Sequence, residues 1–166
     1  EDVRPMGRGA RGVRGMKLMP EQSVTSLLVA ENDQQTVLVA TENGYGKRTV
    51  LADFRHSGRG TQGVRAIADS ERNGIVVGAK LVNDEDEIML ITTGGVLIHT
   101  RVAEIRGMGR ATQGVTLISL DDGEKLAGLE KVAESVAEVD GEAPVAVDGE
   151  NGANSGPAAE GEGGGV

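Results

Sequence analysis

Three short segments hold the residues best suited to chemistry. They are DVRPMGRGARGVRGM from Asp2, DFRHSGRGTQGVRAI from Asp53 and EIRGMGRATQGVTLI from Glu104, aligned without gaps at an offset of 51 residues. Each carries an Arg between turn-forming glycines, at Arg8, Arg59 and Arg110, and a companion at Arg4, Arg55 and Arg106. A guanidinium is a rigid fork of donors that matches phosphate oxygens. Glycines let backbone amides approach a phosphate closely. One cationic loop per repeat is an arrangement for holding a polyanion. The other role open to these arginines is pairing with Asp2, Asp53 and Glu104, which recur at one phase. Exposed pairs of that kind contribute only about 0–1 kcal/mol, a weak reason for three copies.

Other chemistries find little support. The chain has no Cys, and its two His stand far apart at His56 and His99. That excludes a disulfide framework, a Cys-based zinc site and a thiol nucleophile. No P-loop, H-E-x-x-H motif or Ser/His/Asp grouping occurs, so no catalytic residue is assigned. The run Asp84–Glu87 reads as a solvated turn between strands rather than a metal site. Tyr45 and Phe54 are the only aromatic residues. Stacking of single-stranded bases is therefore disfavoured, and contact with the backbone of a duplex fits better.

The elements around the loops repeat as well. VLVATENGYGKRTVLADF from Val37 lies over IMLITTGGVLIHTRVAEI from Ile88, again offset by 51. Both read as strand, turn, strand, and Asn43-Gly44 and Gly94-Gly95 suggest two-residue hairpin turns with positive φ at both positions. Apolar strand candidates precede each hairpin phase: VTSLLVA from Val24, IVVGAKLV from Ile75 and KLAGLEKV from Lys125. A short extended piece at the Gly-Val step completes the unit. The expectation is an all-β body of roughly four strands per repeat of about 50 residues, the range of propeller blades. Residues 1–132 then form about two and a half repeats, the C-terminal end of a larger array and a partial ring.

Charge divides the chain. Residues 1–132 hold all 17 Lys and Arg with 18 Asp and Glu, whereas 133–166 hold 8 acidic residues and no basic one. The last segment also carries 8 Gly and 2 Pro. Such a composition does not offset the entropy of ordering, so a disordered acidic tail is expected over 133–166. No apolar run reaches the ~20 residues of a membrane-spanning helix, and no secretory leader is evident at Glu1.

At these residues the sequence resembles the C-terminal domain of the bacterial DNA gyrase A subunit. TENGYGKRT (Thr41–Thr49), GRGTQGV (Gly58–Val64), DEIMLITTGG (Asp86–Gly95) and GRATQGV (Gly109–Val115) carry the likeness. The resemblance implies a six-bladed β-pinwheel whose blades exchange strands. It implies DNA wrapped on a basic rim, in support of ATP-dependent negative supercoiling by a type II topoisomerase. The family's heptapeptide box, Gln-Arg-Arg-Gly-Gly-Lys-Gly, and its cleavage tyrosine do not occur here. The fragment is accordingly expected to be non-catalytic and without cofactor, ATP and Mg2+ being used elsewhere in the holoenzyme. Implied partners are double-stranded DNA, the remaining domains of the gyrase A subunit, and the gyrase B subunit in an A2B2 heterotetramer, in the bacterial cytoplasm at the nucleoid.

Carried over by position, the DNA-facing residues are Arg8, Arg11, Arg14, Arg59, Arg65 and Arg110. Lys47, Arg48 and Arg101 on the hairpins come second. Thr116 stands where the first two copies have Arg14 and Arg65, which weakens the expected contact there. Glu134, Glu138, Asp140 and Glu142 are expected to compete with DNA as a regulatory tail. The C-terminal domain of topoisomerase IV and a protein-interaction propeller without nucleic acid are the alternatives.

Overall fold

The structure, a computed structural model, describes residues 3–132. Seven strands form, all antiparallel where they pair in named strands. They are β1 (Thr36–Thr41), β2 (Tyr45–Val50), β3 (Val76–Val82), β4 (Glu87–Thr92), β5 (Leu97–Arg101), β6 (Val115–Thr116) and β7 (Leu126–Lys131). Short 3-10 turns follow each hairpin, at Leu51–Asp53 and Val102–Glu104.

Strand exchange is written in the sheet order. One sheet has four strands, β3-β1-β2-β6, and the other has three, β5-β4-β7. The β1–β2 hairpin receives β3 on one side, with Val39 opposite Ala79. It receives β6 on the other, with Gly46 opposite Val115. Both flanking strands come from later repeats, and β6 reaches across the intervening β4–β5 hairpin. The second sheet repeats the first half of this plan, with Leu90 of β4 opposite Leu129 of β7.

The core lies between the two sheets. Alternate residues of the strands face it: Leu38 and Ala40 on β1, Ile88 and Leu90 on β4, with Val82, Leu126 and Leu129. Val102, Ile105 and Ile118 close it from the connecting segments. Period-2 alternation puts one side of each hairpin inward. β3 and β7 approach closely at Gly78, where a Cβ would stand 2.4 Å from Leu129 Cδ2.

Two expectations are corrected. The hairpin loops have three residues rather than two. Residues 42–44 lie between Thr41 and Tyr45. Residues 93–95 lie between Thr92 and Val96, whose carbonyl accepts from the Thr92 amide at 3.0 Å. Only the last loop residue, Gly44 (φ 80°) or Gly95 (φ 84°), is left-handed, as in a type I turn closed by a bulge. The segment from Val24 forms no strand. Its counterparts β3 and β7 each pair with the hairpin one repeat earlier, and for Val24 that phase falls before residue 1. Leu27 and Val29 are consequently left exposed.

Candidate nucleic-acid interface

The Gly-Arg motif builds a turn whose tip is the Arg. The amide of Ala10 donates to the Gly7 carbonyl at 3.0 Å and that of Thr112 to Gly109 at 3.3 Å. The Thr61 and Thr112 hydroxyls reinforce the turn by donating to Gly58 and Gly109. Five residues beyond the first glycine, Gly12, Gly63 and Gly114 all have φ between 76° and 83°, so the chain reverses identically in each copy. At Gly114 a Cβ would also lie 2.5 Å from the Gly46 carbonyl oxygen.

Successive motifs lie side by side. The Lys17 amide donates to the Thr61 carbonyl at 2.8 Å, and 51 residues on, the Ala68 amide donates to Thr112 at 3.0 Å. The Gly60 amide donates to Gly15 at 2.7 Å, and Arg110 Nη1 reaches the Arg65 carbonyl. The three Arg turns therefore form one continuous flank. Arg8, Arg11, Arg14, Arg59 and Arg65 are exposed along it, and Arg110 is half-buried. Among the described residues neither Arg55 with Asp53 nor Arg106 with Glu104 forms an ion pair. In the second and third motifs the arginines are therefore not consumed by the acid of their own motif.

The hairpin cations divide differently. Lys47 has no exposed surface. Its ammonium donates to the Gly109 carbonyl at 2.6 Å, to the Arg110 carbonyl and to the Thr112 hydroxyl. Burial first, then the neighbouring Arg110, pushes its pKa below the ordinary lysine value. Arg48 donates Nε to the Ile105 carbonyl and pairs with Asp84. Burial corrects Lys47 from a DNA contact to a support of the turn, and half-buried Arg48 is drawn into the same support, each held by carbonyls of the segment that follows one repeat later: Gly109 and Arg110 for Lys47, Ile105 for Arg48. Arg101 stays exposed, 3.7 Å from Glu87.

The acidic run is the expected turn between β3 and β4. Its charges meet cations, Asp84 with Arg48, Asp86 with Lys131 at 2.7 Å and Glu87 with Arg101 at 3.7 Å, and Glu87 also lies 2.9 Å from His99 Nε2. Glu134, Glu138, Asp140 and Glu142 lie outside the described residues.

Three supporting residues escape a reading of the sequence. Arg72 stacks over Tyr45 at 4.1 Å and donates to Gln113 Oε1 at 3.1 Å. Buried Asn73 donates to the carbonyls of Ala68 and Gln113, tying two motifs together. Glu42 in the first hairpin loop accepts from the Ile75 amide and from Lys125. None recurs at the repeat period, so the repeat carries no signal for them.

Known proteins share this plan. The family described as DNA gyrase C-terminal domain, beta-propeller, matches residues 1–31, 35–83 and 86–133. The DNA gyrase A subunit of Neisseria gonorrhoeae is 51% identical over 143 residues, which is 84% of this chain and 16% of that protein. Its Escherichia coli K12 equivalent is 50% identical over 138 residues, 83% of this chain and 16% of that protein. The chain thus spans about a sixth of the length of these relatives. A solved DNA gyrase A C-terminal domain superposes with a TM-score of 0.72 at 29% identity, covering 80% of this chain and 45% of that one. The C-terminal domain of a DNA topoisomerase IV gives 0.73 at 25% identity, covering 79% and 41%. The exchanged strands, the 51-residue repeat and these likenesses agree: the chain belongs to the DNA gyrase C-terminal domain family of β-propellers.

Proposed function

We propose that this chain binds and wraps double-stranded DNA as the C-terminal part of a gyrase A subunit. The carrying observation is the continuous flank of Arg turns, joined by the hydrogen bonds from Lys17 to Thr61 and from Ala68 to Thr112. Cations at regular spacing along a rim contact successive phosphates without reading bases. The relatives' names support gyrase over topoisomerase IV, since those about half identical are gyrase A subunits. In the whole enzyme the wrapped segment would be presented to the gyrase B subunit, and to the other domains of the A subunit, in a cytoplasmic A2B2 assembly. ATP and Mg2+ would act there and not in this chain. The tail, through Glu134, Glu138, Asp140 and Glu142, would compete with DNA for the same cations.

The test is titration of random-sequence duplexes at several salt concentrations. Each phosphate contact contributes about -0.9 to the slope of log K against log salt. A steep, sequence-independent slope supports the reading. A flat response rejects it in favour of a protein-binding scaffold.

A further inference from the structure

Three Arg positions recur in the motif, and the third copy lacks one of them. Arg4 corresponds to Arg55 and Arg106, and Arg8 to Arg59 and Arg110, but Arg14 and Arg65 give way to Thr116. Arg110, at the tip, is half-buried and turns Nη1 to the Arg65 carbonyl. The third turn therefore offers less charge than the two before it. Arg72, which lies outside the motif, stands where that charge is missing.

Sheet register fixes the place. Tyr45 of β2 is directly opposite Thr116 of β6, and directly opposed residues of antiparallel strands share one face of the sheet. The Arg72 guanidinium lies over the Tyr45 ring, 4.1 Å from its centre, and Thr116 beside that ring is exposed. Arg72 Nη1 donates to Gln113 Oε1 at 3.1 Å. The loop that carries Arg72 is pinned. Asn43 donates to the Arg72 carbonyl at 3.0 Å, and buried Asn73 donates to the Gln113 carbonyl at 3.0 Å. Stacking occupies the flat face of a guanidinium and leaves its rim of N–H donors available. Gln113 takes part of that rim. Among the described residues Arg72 is exposed and forms no ion pair.

The preceding contact carries the same exchange in reverse. The Lys17 amide donates to Thr61 as the Ala68 amide does to Thr112, so the loop 17–23 meets the second motif as the loop 68–74 meets the third. At the phase of Arg72 the earlier loop has Glu21, and at the phase of Thr116 the second motif has Arg65. One contact keeps its Arg on the motif, and the next keeps it on the loop.

We propose that Arg72 contacts a DNA phosphate at the third motif, in the role that Arg65 has at the second. The inference rests on the duplex-binding reading above and adds to it a cation that the repeat does not carry. Tyr45 and Gln113 hold the guanidinium in place before DNA arrives, which lowers the entropy lost on contact.

Titration of random-sequence duplexes with the full 166-residue chain tests this. Arg72→Gln should make the salt slope shallower by about 0.9, the share of one phosphate. Arg72→Lys keeps the charge and should hold the slope. Thr116→Arg added to Arg72→Gln returns an Arg to the motif position and should restore the slope. A residue that only braced Gln113 would lower the melting temperature when replaced, and an Arg at position 116 would not rescue it. Arg59→Gln is the reference. If it makes the slope shallower while Arg72→Gln leaves the slope unchanged, the assignment of Arg72 is overturned and the duplex-binding reading stands. Failure of Thr116→Arg to restore the slope likewise returns Arg72 to a bracing role. A flat response in the unsubstituted chain overturns both readings together.

Discussion

The Lys47 ammonium, buried within the first sheet, donates to the Gly109 carbonyl 2.6 Å away on a turn 62 residues further along the chain. A cation that looks available for phosphate in the sequence is spent on holding the loop that presents another cation, Arg110. Lys47→Met would leave the Gly109 and Arg110 carbonyls without this donor. The Gly109 carbonyl keeps the Thr112 amide and hydroxyl as donors, so the expected loss is that of the Arg110 partner, about 1–3 kcal/mol. Urea unfolding measures it. An unchanged midpoint would mean the ammonium does not hold the turn.

The flank and the supports should separate in DNA titrations. Replacing Arg59 or Arg65 by Gln removes an exposed cation. The salt slope should then become shallower by about 0.9 for each phosphate no longer neutralised, with little change in melting temperature. Replacing Arg48, tied to Ile105 and Asp84, should do the reverse. Equal slopes in all three variants would detach the arginines from DNA.

Glycines of the motif are not equivalent. Gly114→Ala forces a Cβ against the Gly46 carbonyl at a φ of 83°, a strained position that costs on the order of 1–3 kcal/mol. Gly58→Ala meets nothing within 4 Å and should stay within about 0.5 kcal/mol. Thermal melts of the pair decide, and similar losses for both would contradict the packing at Gly114.

Glu42 sets an acid limit. The hydrogen bond from Lys125, then that from the Ile75 amide, hold its pKa below the ordinary carboxylate value of 4.5. The folded state binds the proton less readily than the unfolded state. Its stabilisation is therefore complete above about pH 4.5 and is lost as pH falls through the lower folded value. Unfolding midpoints measured from neutral pH to pH 3 should decline less steeply in Glu42→Gln. A parallel decline would assign the acid limb to other carboxylates.

The tail is tested by truncation after Val132. Its expected competition is electrostatic and screened beyond about 8 Å at physiological salt. Truncation should raise DNA affinity most at low salt, and unchanged affinity there would leave the tail a solubilising role.

Sequence and tertiary structure settled different things. The 51-residue period, the two hairpins and the Arg at each turn tip were legible because they are local: strand alternation and turn glycines act over a few residues. The flank of three Arg turns followed from the period alone. The partner of each strand did not. β6 joins β2 rather than its nearer neighbour β5, since the hairpin it closes lies one repeat back and the core between the sheets rewards that crossing. The same crossing decides that Lys47 is buried, because the turn of Gly109 and Arg110 is laid over it. That turn lies 62 residues further along the chain, so no residue near Lys47 in sequence announces it, and only the tertiary structure turns this cation from surface into support.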